Sequence, residues 1–219
     1  MENASKHYQG EIASLGEKIM YLLILAAAVG YLLGSLNSAL IVGKFYGVDI
    51  RQSGSGNAGM TNTMRILGKK AALFVLLGDV AKGLLAYAAG YFICGGQLGG
   101  MFAGTAAIIG HIWPVYFGFK GGKGVLTTLA VLFMLDWRAA LGLLGVFIVI
   151  LLLTRYVSLG SIIGAFLFPF VEILLGRNTE TIVFSAIIAV LIIVMHRANV
   201  KRLLSGTESK FSFSKKQEG

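Results

Sequence analysis

Cysteine occurs once in this chain, at Cys94, so no disulfide can close within it and no Cys/His metal cluster can be assembled. Proline occurs twice. Charged residues make up only 13%, about half the share of an ordinary soluble domain, which argues against a soluble globular protein. Acidic residues are the scarcer sign, 10 against 19 basic, leaving a net charge of +9. Nucleic acid is a poor partner for that charge, because the basic residues lie in short loops between apolar runs. Positive-inside topology and an anionic substrate both account for it.

What the sequence has instead is apolar length. Hydrophobic residues make up 56% of the chain, and several runs approach the roughly 20 residues needed to cross a bilayer as a helix. The expected architecture is all-α, a polytopic integral membrane protein with seven transmembrane helices at residues 19–42, 71–93, 97–117, 125–135, 139–153, 159–175 and 181–195. Residues 1–18 read as a polar N-terminal leader, either a short surface helix or disordered, and not a signal peptide. Residues 19–204 form a single transmembrane domain, and residues 205–219 a basic tail. Lys and Arg cluster after the odd-numbered spans, which sets the N-terminus outside and the C-terminus in the cytoplasm. Asp79 and Lys82, at i and i+3 within the second span, read as a structural ion pair, since charges inside a bilayer face the protein and pair.

The stretch RQSGSGNAGMTNTMR, from Arg51 to Arg65, has neither helical nor strand periodicity. Gly54, Gly56 and Gly59 let the backbone turn its N–H groups inward into an anion-binding nest. Ser55, Asn57, Thr61 and Asn62 add side-chain donors, and Arg51 and Arg65 can fork onto phosphate oxygens. A flexible loop of turn formers is the plainer alternative. Ser35, in the polar second half of the first span, either packs against a partner helix or reaches the same site.

Two further segments fall on the same expected membrane face. FKGGKG, residues 119–124, carries half the content of a P-loop without its spacing, so ATP hydrolysis is not indicated. Lys120, Gly121, Gly122, Lys123 and Gly124 nevertheless make an anion site before a helix start. In MHRANVKRLLSGTE, His196 and Asn199 share a helical face, and His196 suits general base work near neutral pH. Glu208 reads as a structural partner for a nearby arginine. Cationic side chains from three segments would repel one another unless an anion joined them.

These three segments, GSLNSALIVGKFYGVDIRQSGSGNAGMTNTMRILGKKA, GHIWPVYFGFKGGKGVLTT and MHRANVKRLLSGTE, together resemble the bacterial acyl-phosphate:glycerol-3-phosphate acyltransferases, the PlsY family. The likeness covers residues 19–210, with departures from the usual pattern at Leu36, Asn37, Met60 and Ala198. The resemblance implies a seven-helix enzyme of the bacterial cytoplasmic (inner) membrane with its site at the cytoplasmic face and no cofactor or metal. It implies transfer of an acyl group from acyl phosphate to the first hydroxyl of glycerol 3-phosphate, giving lysophosphatidic acid and inorganic phosphate in the first acylation of phospholipid biosynthesis. Membrane lipid surrounds such an enzyme.

Carried onto this sequence, the family's essential serine and arginine fall on Ser55 and Arg65. Its glycerol-3-phosphate loop falls on Gly118 to Gly124, and its third motif on His196, Asn199 and Glu208. The residues leave open which loop holds which phosphate, and whether His196 or a substrate phosphate oxygen is the base. They also leave open the oligomeric state and the acyl chain length. Two rivals fare worse. An acyl-CoA or acyl-carrier-protein enzyme would carry His followed four residues later by Asp, which neither His111 nor His196 does. A transporter would show related halves around a midplane site, and no internal repeat is present.

Overall fold

The computed structural model describes residues 2–211, and among them all regular structure is helical. Helix α1 (Glu2–Gly34) has 33 residues, about 50 Å at 1.5 Å per residue. The expected leader is therefore, from Glu2 on, the first part of the same helix that enters the span. That helix stops at Ser35–Asn37, the polar stretch noted in the sequence. Asn37 caps α2 (Ser38–Phe45), its Oδ1 accepting from the Leu40 N–H at 3.1 Å.

A 3₁₀ turn at Ile50–Gln52 leads through the glycine loop into α3 (Met60–Leu67). Helices α4 (Lys69–Cys94), α5 (Gln97–Ile112), α6 (Val125–Leu135), α7 (Trp137–Thr154), α8 (Val157–Leu174) and α9 (Thr179–Met195) follow. The last helix, α10 (Arg197–Leu204), leaves α9 at a bend of 58°.

Five stretches are long and apolar enough to cross a membrane: Gly10–Phe45, α4, Gln97–Phe117, α7 and α8. The bent pair α9–α10 makes a sixth. Helix α6, with 11 residues, is about 16 Å long, well under the roughly 30 Å hydrocarbon core. The order of apolar helices matches the sequence reading, with α6 shorter than a full crossing.

Lipid offers no hydrophobic drive between helices, so close van der Waals packing holds the bundle, and small residues allow it. A Cβ on Gly30 or Gly34 of α1 would strike the backbone of Ala103 or Ala107 in α5. Gly90 of α4 and Gly99 of α5 meet each other's backbones in the same way. The dense centre is completed by Ile108, Ile112, Val131, Phe168 and Ile188. Large apolar side chains such as Phe92, Leu153 and Leu174 point outward, as lipid-facing residues do.

Short links reverse the chain after α4, α6, α7 and α8. The stretch between α1 and α4, the segment between α5 and α6, Arg155 and the α9–α10 bend therefore gather at one end of the bundle. The opposite end holds Asp136, which pairs with Arg177 and, at 3.4 Å, with Arg138. Beside it Glu172 is fully buried, with the Arg177 Nε 4.0 Å away.

Candidate active site

The first loop is shaped from inside by Asn62. Its Nδ2 donates to the carbonyls of Ile50 (3.1 Å) and Ser53 (3.0 Å), and its Oδ1 accepts from the Ser55 N–H at 2.9 Å. A Cβ on Gly54 would strike that Oδ1, and Gly54 sits at φ +61°, a conformation glycine takes at little cost. Asn62 is thus the buried strut of the loop, and its polar atoms are spent on the loop itself. Ser55 and Gly56 remain exposed at the rim. Thr61 lies in the first turn of α3.

Arg51 is likewise engaged within the protein. It forks onto Asp49, Nε to Oδ1 and Nη2 to Oδ2, both at 2.9 Å. Its Nη1 donates across to the carbonyls of Phe117 (3.0 Å) and Lys120 (3.3 Å). The hydrogen bond from Arg51, more than its charge, holds the Asp49 carboxyl below the usual carboxylate range. The pair braces the first loop against the second, a role invisible in sequence because it depends on the 3₁₀ turn between them.

The second loop is pinned to the end of α5. Gly121 N–H donates to Ile112 O at 3.0 Å and Gly122 N–H to His111 O at 3.1 Å. Two of the backbone donors expected for an anion are therefore already used. Phe119 sits at φ +59°, a left-handed conformation that costs a non-glycine residue about 1 kcal/mol, and its N–H is tied to Pro114 O at 3.0 Å. Gly122 is wedged so tightly that a Cβ would clash with His111 Nε2 and with the Ala58 carbonyl oxygen of the first loop. Gly124, at φ +79°, begins α6. The loop's free chemical asset is Lys123, whose Nζ donates to Asn199 Oδ1.

The third segment receives that contact. Asn199 Nδ2 donates to Glu208 Oε1 at 2.7 Å, Ser158 Oγ to the same oxygen at 2.8 Å, and Arg202 Nε to Oε2 at 2.7 Å. Burial pulls the Glu208 carboxyl up, but these hydrogen bonds outweigh it and hold it below its usual range. Burial pushes the Lys123 ammonium down to about 8, opposed by Glu208 and helped by Arg202 and Arg65. His196 is buried at the α9–α10 bend with Nδ1 2.8 Å from Ile192 O. A carbonyl only accepts, so Nδ1 carries a proton and the lone pair of a neutral ring lies on Nε2. Arg65 is exposed and donates to Ser209 O at 3.3 Å.

These segments enclose a cleft of about 190 Å³ lined by Ser55, Gly56, Asn57, Gly121, Gly122, Lys123, Met195, Ala198, Asn199 and Arg202. Of the residues singled out in the sequence, Ser55, Gly56, Asn57, Gly121, Gly122, Lys123 and Asn199 meet there. Ser35 does not: it is buried, with its Oγ accepting from Val115 N–H at 3.4 Å. Arg51, Gly54, Thr61, Asn62, Arg65, Lys120, Gly124, His196 and Glu208 do not line the cleft. Sequence reasoning assigns no site role to Arg202 or Ser158. The motif containing Arg202 was visible, whereas nothing in the sequence pointed to Ser158. A larger apolar groove of about 460 Å³, between Gly16–Ala27 of α1 and Phe102 of α5, lies in the other half of the bundle and offers little polar surface.

Comparison with known proteins decides what this arrangement belongs to. Residues 24–206 match the family model described as glycerol-3-phosphate acyltransferase. The chain belongs to the glycerol-3-phosphate acyltransferase family. A glycerol-3-phosphate acyltransferase of Thermoanaerobacter sp. (strain X514) is 44% identical over 188 residues, covering 85% of this chain and 94% of the relative. One from Clostridioides difficile (strain 630) is 42% identical over 198 residues, covering 88% and 97%. The fold is similar to a crystal structure of PlsY (YgiH), an integral membrane glycerol 3-phosphate acyltransferase, in its glycerol 3-phosphate form. The TM-score is 0.80, with 39% identity over 89% of this chain and 96% of that one. The lysophosphatidic acid form of the same protein gives a TM-score of 0.79 at 37% identity, covering 87% and 96%. This acyltransferase is therefore an integral membrane protein with the helical fold of its family.

Proposed function

We propose that the chain moves a fatty acyl group from acyl phosphate to the first hydroxyl of glycerol 3-phosphate, releasing lysophosphatidic acid and inorganic phosphate as the first acylation step of phospholipid biosynthesis. The observation that carries this reading is the shared cleft. Three segments far apart in the chain place Ser55, Lys123, Asn199 and Arg202 around one space. At about 190 Å³ it is smaller than the roughly 300–1,000 Å³ of drug-sized sites, and suits a small phosphorylated triol.

Acyl phosphate is already activated, since phosphate is a good leaving group, so the enzyme has mainly to align two anions and stabilise charge. In this reading Lys123 and Arg202 hold the glycerol 3-phosphate headgroup. Ser55, Asn57 and Arg65, which swings in from the rim, receive the acyl phosphate. The glycerol hydroxyl oxygen bonds to the acyl carbon, the acyl carbon–phosphate oxygen bond breaks, and the hydroxyl proton passes to an oxygen of the departing phosphate, since His196 does not line the cleft. Asn199, fixed by Glu208, keeps Lys123 in line. No metal or cofactor takes part.

The bundle's site end carries Lys44, Arg51, Arg65, Lys69, Lys70, Lys120, Lys123 and Arg155, and the other end mainly Arg138 and Arg177. The positive-inside rule then puts the site at the cytoplasmic face of the inner membrane, the N-terminus outside and the C-terminus inside. Counting α6 as a crossing, which preserves this parity, gives seven. The single transmembrane domain runs through α10, and the described residues after it fold back with Glu208 bonded to Asn199 and Arg202. Residues 212–219 of the expected tail lie outside the described residues.

Purified protein offered acyl phosphate, acyl-CoA or acyl-carrier protein separately, with glycerol 3-phosphate, tests the donor. Lysophosphatidic acid is expected with acyl phosphate alone. Comparable product from either thioester would overturn the reading.

A further inference from the structure

Beneath the second loop, inside the bundle, lies a group of charged side chains that the chemistry above does not use. Lys82 Nζ is 2.9 Å from Asp79 Oδ1, 2.9 Å from His111 Nδ1 and 3.2 Å from the Leu36 carbonyl oxygen. All three side chains are buried, His111 and Lys82 at 3% and 4% exposure and Asp79 at 1%. An ammonium has three protons and no lone pair; hydrogen bonds to His111 and Leu36 use two of them, and Asp79 adds an ion pair. Such pairing fits the high cost of charge in a membrane interior.

The group does more than neutralise itself. Lys82 cannot accept, so the contact with His111 requires Nδ1 to be the acceptor. The alternative, Nδ1–H donating to Asp79, spans 3.5 Å, longer than a normal N–H···O bond. His111 is therefore held with its proton on Nε2. That same Nε2 abuts Gly122, close enough that a Cβ there would collide with it, while the Ala58 carbonyl closes the other side. The His111 backbone carbonyl also takes the Gly122 N–H at 3.1 Å and the Asn37 Nδ2 at 3.3 Å. One residue thus ties together the α1–α2 break, α4, and the loop that bears Lys123.

We infer that His111 is a positioning residue for the second loop: Lys82 fixes its Nε2–H tautomer, and that edge sets where Gly122 lies against Ala58 and so where Lys123 meets the substrate phosphate. The inference rests on the assignment of Lys123 to glycerol 3-phosphate. It does not place His111 in contact with substrate.

Two substitutions separate the ring's two edges. His111→Gln puts an amide N–H near the position of Nε2, whereas His111→Asn preserves only the edge facing Lys82. The Asn variant is expected to raise KM for glycerol 3-phosphate about tenfold, and the Gln variant to stay within about threefold of wild type. KM for acyl phosphate should stay unchanged in both. Equal effects of Asn and Gln, or an equal rise in both Michaelis constants, would overturn the inference. In wild-type protein carrying ¹⁵N-histidine, His111 should show a protonated Nε2 and an unprotonated, hydrogen-bonded Nδ1. A proton on Nδ1 would overturn the inference even if neither variant folds. Failure of wild type to release phosphate from acyl phosphate in a glycerol 3-phosphate-dependent way would instead count against the underlying reading, and would leave the ¹⁵N result standing as its own test.

Discussion

Asn199 donates to Glu208 across 2.7 Å, and its amide oxygen accepts from Lys123. One side chain thus transmits the position of a carboxylate on the C-terminal segment to a lysine at the mouth of α6. A single flipped or missing donor would break the chain of contacts from Ser158 and Arg202 through Glu208 to the cleft.

Glu208→Gln replaces an acceptor of three hydrogen bonds with a group that must present an NH₂ to existing donors. Leaving buried donors unpaired costs about 1–3 kcal/mol, and a hundredfold loss of kcat is expected with the protein still inserted. Because the folded carboxyl titrates below its ordinary 4.5, it contributes stability that is fully present above that pH and is lost as pH falls through the folded value. Thermal unfolding of wild type against Glu208→Gln should therefore converge at low pH and differ at pH 7. A difference that persists unchanged in acid would refute this.

Lys123 gives a basic limb. Its ammonium is pushed down to about 8, so the free enzyme loses this charge as pH rises past 8. Phosphate binding needs the charged form, so KM for glycerol 3-phosphate should climb about tenfold per pH unit above 8. Folding responds with the opposite sign: the unfolded lysine holds its proton up to 10.5, so stability from this group increases between pH 8 and 10.5. Lys123→Arg should move the limb to higher pH, and a pH-independent KM in wild type would contradict the assignment.

Arg65 makes one hydrogen bond to a backbone carbonyl, to Ser209, and no ion pair among the described residues. Arg65→Ala should therefore cost less than about 1 kcal/mol of stability, as exposed side chains usually do. Turnover should fall by about 10³, the scale of one removed charge-stabilising donor. Normal turnover in a folded Arg65→Ala protein would exclude Arg65 from the reaction.

The membrane helices were legible because lipid imposes a length and a composition that sequence shows directly. Residues 19–42 read as one span, whereas the helix breaks at Ser35–Asn37 because Asn37 caps a new helix. The eight-residue helices α3 and α10 are too short to stand out from their loops. The loop chemistry was visible as residue types but not as partners. Nothing in RQSGSGN says that Arg51 turns back to Asp49, or that Asn62 is spent inside the loop. Those choices depend on contacts between segments that lie far apart in the chain. The same holds for His111, whose importance arises only when α4 and α5 bring it to Lys82.

Gly122→Ala tests the wedge between the two loops. The added methyl has no free space between His111 Nε2 and the Ala58 carbonyl, and overpacking of this kind costs about 1–3 kcal/mol. KM for glycerol 3-phosphate should increase more than KM for acyl phosphate. Equal increases would undo the division of the two substrates between the loops.

The central claim is that three remote segments form one substrate cleft at the cytoplasmic end of the bundle. In a Cys94→Ser background, single cysteines at Asn57, Lys120 and Ala198 can be labelled with a membrane-impermeant maleimide in inside-out and right-side-out vesicles. All three should react from the cytoplasmic side only, and glycerol 3-phosphate together with an unreactive acyl phosphate analogue should slow labelling at both Asn57→Cys and Ala198→Cys. Labelling of any one of them from the outer side, or protection confined to a single segment, would contradict the account.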